Sequence, residues 1–118
     1  MKKIERRKFV RKAIRMSCVV QFSSGITING NTRDISLDGV NIDSTSMSGQ
    51  GKKNPEPGEG GLLTLKFKRR NFVDAILVQC RAIHVTPNGI GLSVRLSELS
   101  KKDQDILGQI IATGKAEI

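Results

Sequence analysis

The chain has no tryptophan and no tyrosine, and its only aromatic residues are four phenylalanines. A buried core must therefore be built from Ile, Leu and Val, and a surface of stacked aromatic rings has little to draw on. No run of about 18 apolar residues occurs, so there is no candidate for a membrane-spanning helix. There are two cysteines, Cys18 and Cys80. Each sits in an apolar, strand-like segment and neither has metal-site spacing, so both read as buried thiols rather than a disulfide or a site. His84 is the single histidine, on a face shared with Ile76 and Val78, and reads as a core or rim residue. The acids are scattered singly, and no Ser/His/Asp or Cys/His pairing can be placed. No catalytic centre and no metal site are expected. The start of the chain is charged and lacks the apolar centre of a signal peptide, so the expected compartment is the cytoplasm.

Acidic residues are also scarce, 11 against 20 Lys and Arg, for a net charge of +9. Most of that charge lies at the front. Residues 1–15 carry eight Lys or Arg against one acid, Glu5, which is +7 of the total. The chain is thus a nearly neutral domain behind a cationic arm, and such an arm is an electrostatic footprint for an anion. At 118 residues the chain is expected to be a single domain.

The pattern behind the arm has period two. Ile14, Met16, Cys18, Val20 and Phe22 alternate with polar positions, as a half-buried strand requires. Ser23-Ser24-Gly25 signals a turn into a second strand starting at Ile26. Asn29-Gly30 within it reads as a bulge or bend, because Thr32 to Ile35 continue the strand. Ser36 to Gly39 turn into a short strand at Val40-Asn41-Ile42. From 44 to 61 the composition shifts to Ser, Gly, Pro, Lys and Glu, with Met47 the only large apolar residue, and a mobile loop is expected. Leu63, Leu65 and Phe67 mark the next strand, and Val73 to Val85 the longest one. Pro87-Asn88-Gly89 turns into Ile90 to Val94. Only then does the period change. Ser100 with Asp103 three residues on resembles a capping box, Ile106, Leu107, Ile110 and Ile111 form a helical stripe, and Gly114 is a stop.

This predicts a mainly β fold, a small antiparallel barrel of about six strands with a C-terminal amphipathic helix and a flexible basic N-terminal arm. The expected boundaries are an arm at 1–12, a barrel at 13–96 with a mobile loop at 44–61, and a helix at 97–114.

Two stretches carry candidate chemistry. In the arm, Arg7 and Arg11 are four residues apart and Arg6 precedes them. Guanidinium groups suit bidentate phosphate binding and the fork onto O6 and N7 of guanine. The second stretch is Asp34-Ile35-Ser36-Leu37-Asp38-Gly39. With Ile35 pointing inward at a strand end, Asp34 and Ser36 are expected to point outward. The carboxylate could accept from the N1 and N2 donors of guanine, the hydroxyl adds a further partner, and Gly39 permits a tight turn or close approach. Each stretch alone also reads as an ordinary feature: a solubilising tail, and an Asp/Ser/Gly turn.

Together, Arg7-x-x-x-Arg11 followed by Asp34-x-Ser36-x-x-Gly39 near the end of the second strand resembles the PilZ domain. This is a family of small bacterial receptors for cyclic di-GMP. The resemblance extends over essentially the whole chain, through the long paired strands, Gly89-Ile90-Gly91-Leu92 and the closing helix. It implies that Arg7 and Arg11 grip the ligand from the arm, while Asp34, Ser36 and Gly39 hold a guanine on the barrel. It further implies that Arg6, just ahead of the first motif, favours two mutually stacked ligands. The function implied is a non-catalytic bacterial adaptor that relays ligand occupancy to a protein effector in motility, adhesion or exopolysaccharide control, by ordering its arm.

The competing reading is a small basic barrel that binds single-stranded nucleic acid, which the poverty in aromatics disfavours. Gly49-Gln50-Gly51-Lys52 resembles a phosphate-binding loop, but Ser46 and Lys53 stand where Walker A requires Gly and Ser or Thr. Lys66, Lys68, Arg69 and Arg70 form a second basic cluster, read as a solvated strand end.

Overall fold

The computed structural model describes residues 11–49 and 54–118. The strands are β1 (Ser17–Phe22), β2 (Thr27–Ile35), β3 (Gly39–Ser48), β4 (Gly60–Arg69), β5 (Phe72–Thr86) and β6 (Gly89–Val94). They form a closed antiparallel barrel in the order β1-β2-β3-β6-β5-β4. A short 3-10 turn at Leu96–Glu98 leads to the single α-helix, α1 (Lys101–Thr113).

The alternation read from the sequence becomes the barrel wall. Cys18, Val20 and Phe22 face inward against Leu65, Leu63 and the backbone of Gly61, while the residues between them face out. The expected bulge near Asn29-Gly30 is present as a shift in the β2–β3 register. The helix starts where its cap dictates: Ser100 Oγ accepts from the Asp103 N–H at 3.1 Å. It ends at Gly114, whose φ of 75° allows its N–H to reach the Ile110 carbonyl at 2.8 Å. Ile106, Leu107 and Ile110 join the same core as the barrel interior.

Three expectations about boundaries need correcting. The first strand begins at Ser17 rather than Ile14, yet Ile14 and Met16 are buried. Buried Thr32 holds that segment in place: its hydroxyl donates to the Ile14 carbonyl and accepts from the Met16 N–H at 2.8 Å. The helix was expected from 97, but 96–98 form the 3-10 turn and Ser100 caps the α-helix that follows.

The expected loop at 44–61 is also too long. Residues 44–48 continue β3, with Met47 opposite Ile28, and 60–61 open β4 opposite Arg81 and Cys80. Backbone ladder bonds hold these residues, and composition carries no signal for such bonds. Residues 50–53 lie outside the described residues.

One face also changes. Ile76, Val78, Cys80 and Ala82 are buried together as expected, but His84 is exposed. A register shift between Ala82 and His84 moves the histidine to the outer surface.

Both cysteines are free and buried. Burial pushes the Cys18 thiol up to about 12 and the Cys80 thiol up to about 11. In the folded chain both should therefore resist thiol reagents near neutral pH and react only when denaturant is added. An unfolded thiol ionises near 9.0, so as pH climbs from there toward 11 the unfolded chain releases protons that the folded chain keeps. The thiols' contribution to stability is full below pH 9 and declines above it. Urea midpoints across that window would measure the decline.

Candidate functional site

The candidate site is assembled where the described end of the arm meets the end of β2. Lys12 pairs with Ile35 as an isolated antiparallel bridge, its N–H donating to the Ile35 carbonyl at 2.8 Å and its carbonyl accepting from the Ile35 N–H at 2.9 Å. This clamp sets Arg11 beside Asp34, with Nη1 3.8 Å from Oδ1. The two candidate stretches, 23 residues apart in sequence, therefore meet in space. Arg6 and Arg7 lie outside the described residues.

Asp34 sits at a bulge in the β2–β3 ladder and is opposite Asn41. The Asn41 side-chain amide donates to Asp34 Oδ1 at 2.8 Å. Asn41 and Arg11 both address Oδ1; among the described residues Oδ2 accepts no side-chain hydrogen bond. The carboxylate is thus oriented while keeping an acceptor edge. An ion pair of this exposure, with 32% and 24% of the two side chains accessible, contributes at most about 1 kcal/mol to stability.

Ser36 departs from expectation. It is fully buried rather than outward-facing. Its hydroxyl donates to Asp38 Oδ1 at 2.7 Å, and its N–H donates to the Gly39 carbonyl at 2.9 Å. The strand ends at Ile35, so alternation stops applying one residue later. Ser36 builds the turn that presents Asp34. Gly39 is paired with Ser93 on β6, and a Cβ there would lie 3.3 Å from the Leu92 carbonyl, so the glycine serves close strand approach. The tip residue, Leu37, is exposed.

The barrel extends this site into a surface. Asp34, Asn41, Gly91 and His84 occupy one cross-strand row over β2, β3, β6 and β5. The His84 ring lies over Gly91, where any side chain would collide with the imidazole. The neighbouring row, Gly39, Ser93 and Arg81, runs into a cleft of about 650 Å³ whose lining includes Arg81, Ser93 and Arg95. Arg33 is turned to other work: its Nε and Nη2 donate to Asp43 Oδ1 at 2.9 and 2.7 Å, and that carboxylate raises the guanidinium pKa further.

Sequence reasoning missed Asn41, Asp38 and the placement of His84. Asn41 had a signal, a polar outward position in the strand after the turn, but pairing it with Asp34 needed the register. His84 had none, because the bulge that exposes it is invisible to alternation. No metal-binding cluster exists among the described residues, and no described helix is long and apolar enough to cross a membrane.

Comparison with known proteins agrees with this architecture. The PilZ domain family model matches residues 5–113. Among solved structures, the Bacillus subtilis inhibitor of motility (MotI/DgrA) superposes with a TM-score of 0.70 at 21% identity, over 96% of this chain and 53% of that one. The chain therefore spans about half the length of that protein. The PilZ domain of CeSA from a cellulose-synthesizing bacterium superposes with a TM-score of 0.56 at 13% identity, over 88% of this chain and 96% of that one. At these identities the likeness concerns the fold. No curated protein matches the chain.

Proposed function

Because the chain belongs to the PilZ domain family, a family of non-catalytic cyclic di-GMP receptors, we propose that it binds this dinucleotide between its arm and the Asp34–Gly39 turn. The observation that carries the reading is the meeting of Arg11 and Asp34 at the Lys12–Ile35 clamp. A cation and an oriented carboxylate on one exposed surface match a ligand that presents phosphodiesters beside guanine N–H donors. In this reading Arg7 and Arg11 grip guanine and phosphate, Asp34 accepts from a guanine edge, and Ser36 and Gly39 hold the turn that aims it. Arg6 adds contacts for a second, stacked ligand.

The relay follows from charge. The cations at 1–10 repel one another, and a bound polyanion removes that repulsion and draws the arm onto the barrel. Lys12 is already clamped to Ile35, so the ordering acts on the residues before Arg11. The new surface then recruits or releases a protein effector. The solved relative described as an inhibitor of motility supports a role in motility control, and the relative from a cellulose-synthesizing bacterium keeps exopolysaccharide control beside it.

Calorimetric titration with cyclic di-GMP, GMP and a short single-stranded oligonucleotide tests the reading. Selective binding of the cyclic dinucleotide is expected, with a stoichiometry that falls from two to one in Arg6→Ala. Oligonucleotide binding with a steep salt dependence, and none of the dinucleotide, would refute it in favour of a nucleic-acid barrel. Among the described residues Phe22 and Phe67 are buried and the exposed Phe72 stands at the start of β5, so few rings are offered for base stacking; Phe9 lies outside the described residues.

His84 has a part in the same surface. Its exposed ring, on the row that contains Asp34 and Asn41, offers a face on which a guanine can stack. Stacking on an aromatic side chain is worth about 1–3 kcal/mol per base. His84→Ala should weaken cyclic di-GMP binding by about 5-fold or more, and His84→Phe should retain it. Equal affinity of the alanine variant and the parent would remove His84 from the site.

A further inference from the structure

The far end of the β4–β5 hairpin is built differently from the rest of the barrel. The two strands pair continuously from Gly60↔Arg81 to Arg69↔Phe72. On one side β1 accompanies β4 only as far as Leu65, and on the other β6 accompanies β5 only from Cys80. Beyond those points the hairpin continues as a two-stranded ribbon. Among the described residues, the only chain paired to its β4 edge is the C-terminal tail, where Lys68 exchanges backbone hydrogen bonds with Ala116 and Ile118 at 2.8 Å each.

The outer face of this ribbon carries two parallel stripes. On β5, Val73 and Leu77 are 70% and 52% exposed, unusually open for residues of their size. On β4, exposed Lys66 and Lys68 stand directly opposite Ala75 and Val73. The acid within the hairpin, Asp74, is occupied by Arg69 at 3.4 Å and by the Ala75 N–H at 2.8 Å. By satisfying an N–H on the outer edge of β5, Asp74 also blunts that edge against an added strand. What remains open is the face.

We propose that this face is a docking surface for an acidic amphipathic segment of a protein partner, whose apolar side covers Val73 and Leu77 while its carboxylates meet Lys66 and Lys68. The side-by-side layout argues for such a segment. From Val73 to Leu77 the apolar stripe runs about 13 Å along the strand, and the basic stripe keeps pace one strand away. A helix of about two to three turns with one apolar and one acidic edge is complementary along that length. A bilayer would instead engage the hairpin tip, where Phe72 and Val73 stand beside Lys68 and Arg70, and would leave Leu77 and Lys66 unmatched; the vesicle comparison separates the two. The proposal deepens the relay reading by giving the effector a place to bind. It is tested without nucleotide, so its failure would leave the receptor reading standing.

The experiment uses the full chain, isotope-labelled, and a synthetic Leu/Glu amphipathic helical peptide as the probe. A Leu/Lys peptide of the same pattern and phosphatidylglycerol vesicles are the comparisons. The Leu/Glu peptide is expected to bind, with amide shifts centred on residues 64–77. Leu77→Ser and the Lys66→Glu/Lys68→Glu pair should each weaken binding about tenfold or more, while Arg6→Ala/Arg7→Ala should not. These positions are exposed, so the fold tolerates the changes. Equal binding of both peptides, shifts confined to the arm, or binding of vesicles through the hairpin without the peptide would each overturn the proposal.

Discussion

Arg11→Ala and Asp34→Ala are each expected to lower cyclic di-GMP affinity by about 5- to 150-fold, from about 1–3 kcal/mol for a lost bidentate or charge-assisted contact to guanine or phosphate. Stability should barely move. The 3.8 Å pair is partly exposed, and such pairs contribute about 1 kcal/mol or less. Affinity and stability therefore separate cleanly at these two positions, which distinguishes a ligand site from a structural ion pair. The double variant should lose less than the sum of the single losses, because the two groups share one ligand and face each other. Asn41→Ala should fall between parent and Asp34→Ala, since it removes only the 2.8 Å hydrogen bond that orients the carboxylate. Calorimetry alongside urea denaturation measures both quantities. Unchanged affinity in Asp34→Ala, or an equal loss of stability and affinity, would remove this carboxylate from the binding surface.

Ile35→Ala should produce the largest loss of stability near the site, about 2–5 kcal/mol. Its side chain is fully buried between the outward Asp34 and the turn residue Ser36. Its backbone holds Lys12 from both sides, at 2.8 and 2.9 Å. A cavity here would loosen the barrel interior and the clamp that sets Arg11 beside Asp34. Against a total stability of about 5–15 kcal/mol for a domain, such a loss is a large fraction. Ile35→Val removes a single methyl group and should cost about 0.5–1.5 kcal/mol. Both values come from urea midpoints with unchanged slopes. If the alanine variant cost less than the valine variant is expected to cost, the coupling of core and clamp at this residue would be refuted.

The amino-acid sequence by itself determined most of the barrel. Alternation is a local property, and it placed Cys18, Val20, Phe22, Leu63, Leu65 and Phe67 inside because each strand buries one face. The helix was equally legible, since Ser100, the Ile106–Ile111 stripe and Gly114 act within a few residues of one another. Both motifs, and through them the family, were readable because their residue types and spacings are written along the chain. The pairing between strands lay beyond that reach. Residues 44–48 belong to β3 through backbone bonds to β2, although their side chains resemble those of a loop. The bulge before His84 decided between core and rim for that histidine and set it on the outer surface, and the end of β2 at Ile35 turned Ser36 inward. Only the tertiary structure decided that Arg11 stands next to Asp34, that Asn41 orients it and that His84 shares its row. Those placements relate residues up to 50 positions apart, as with Asp34 and His84 at the two ends of one cross-strand row. Their geometry comes from strand register, which is set when the whole barrel closes and not by any one segment.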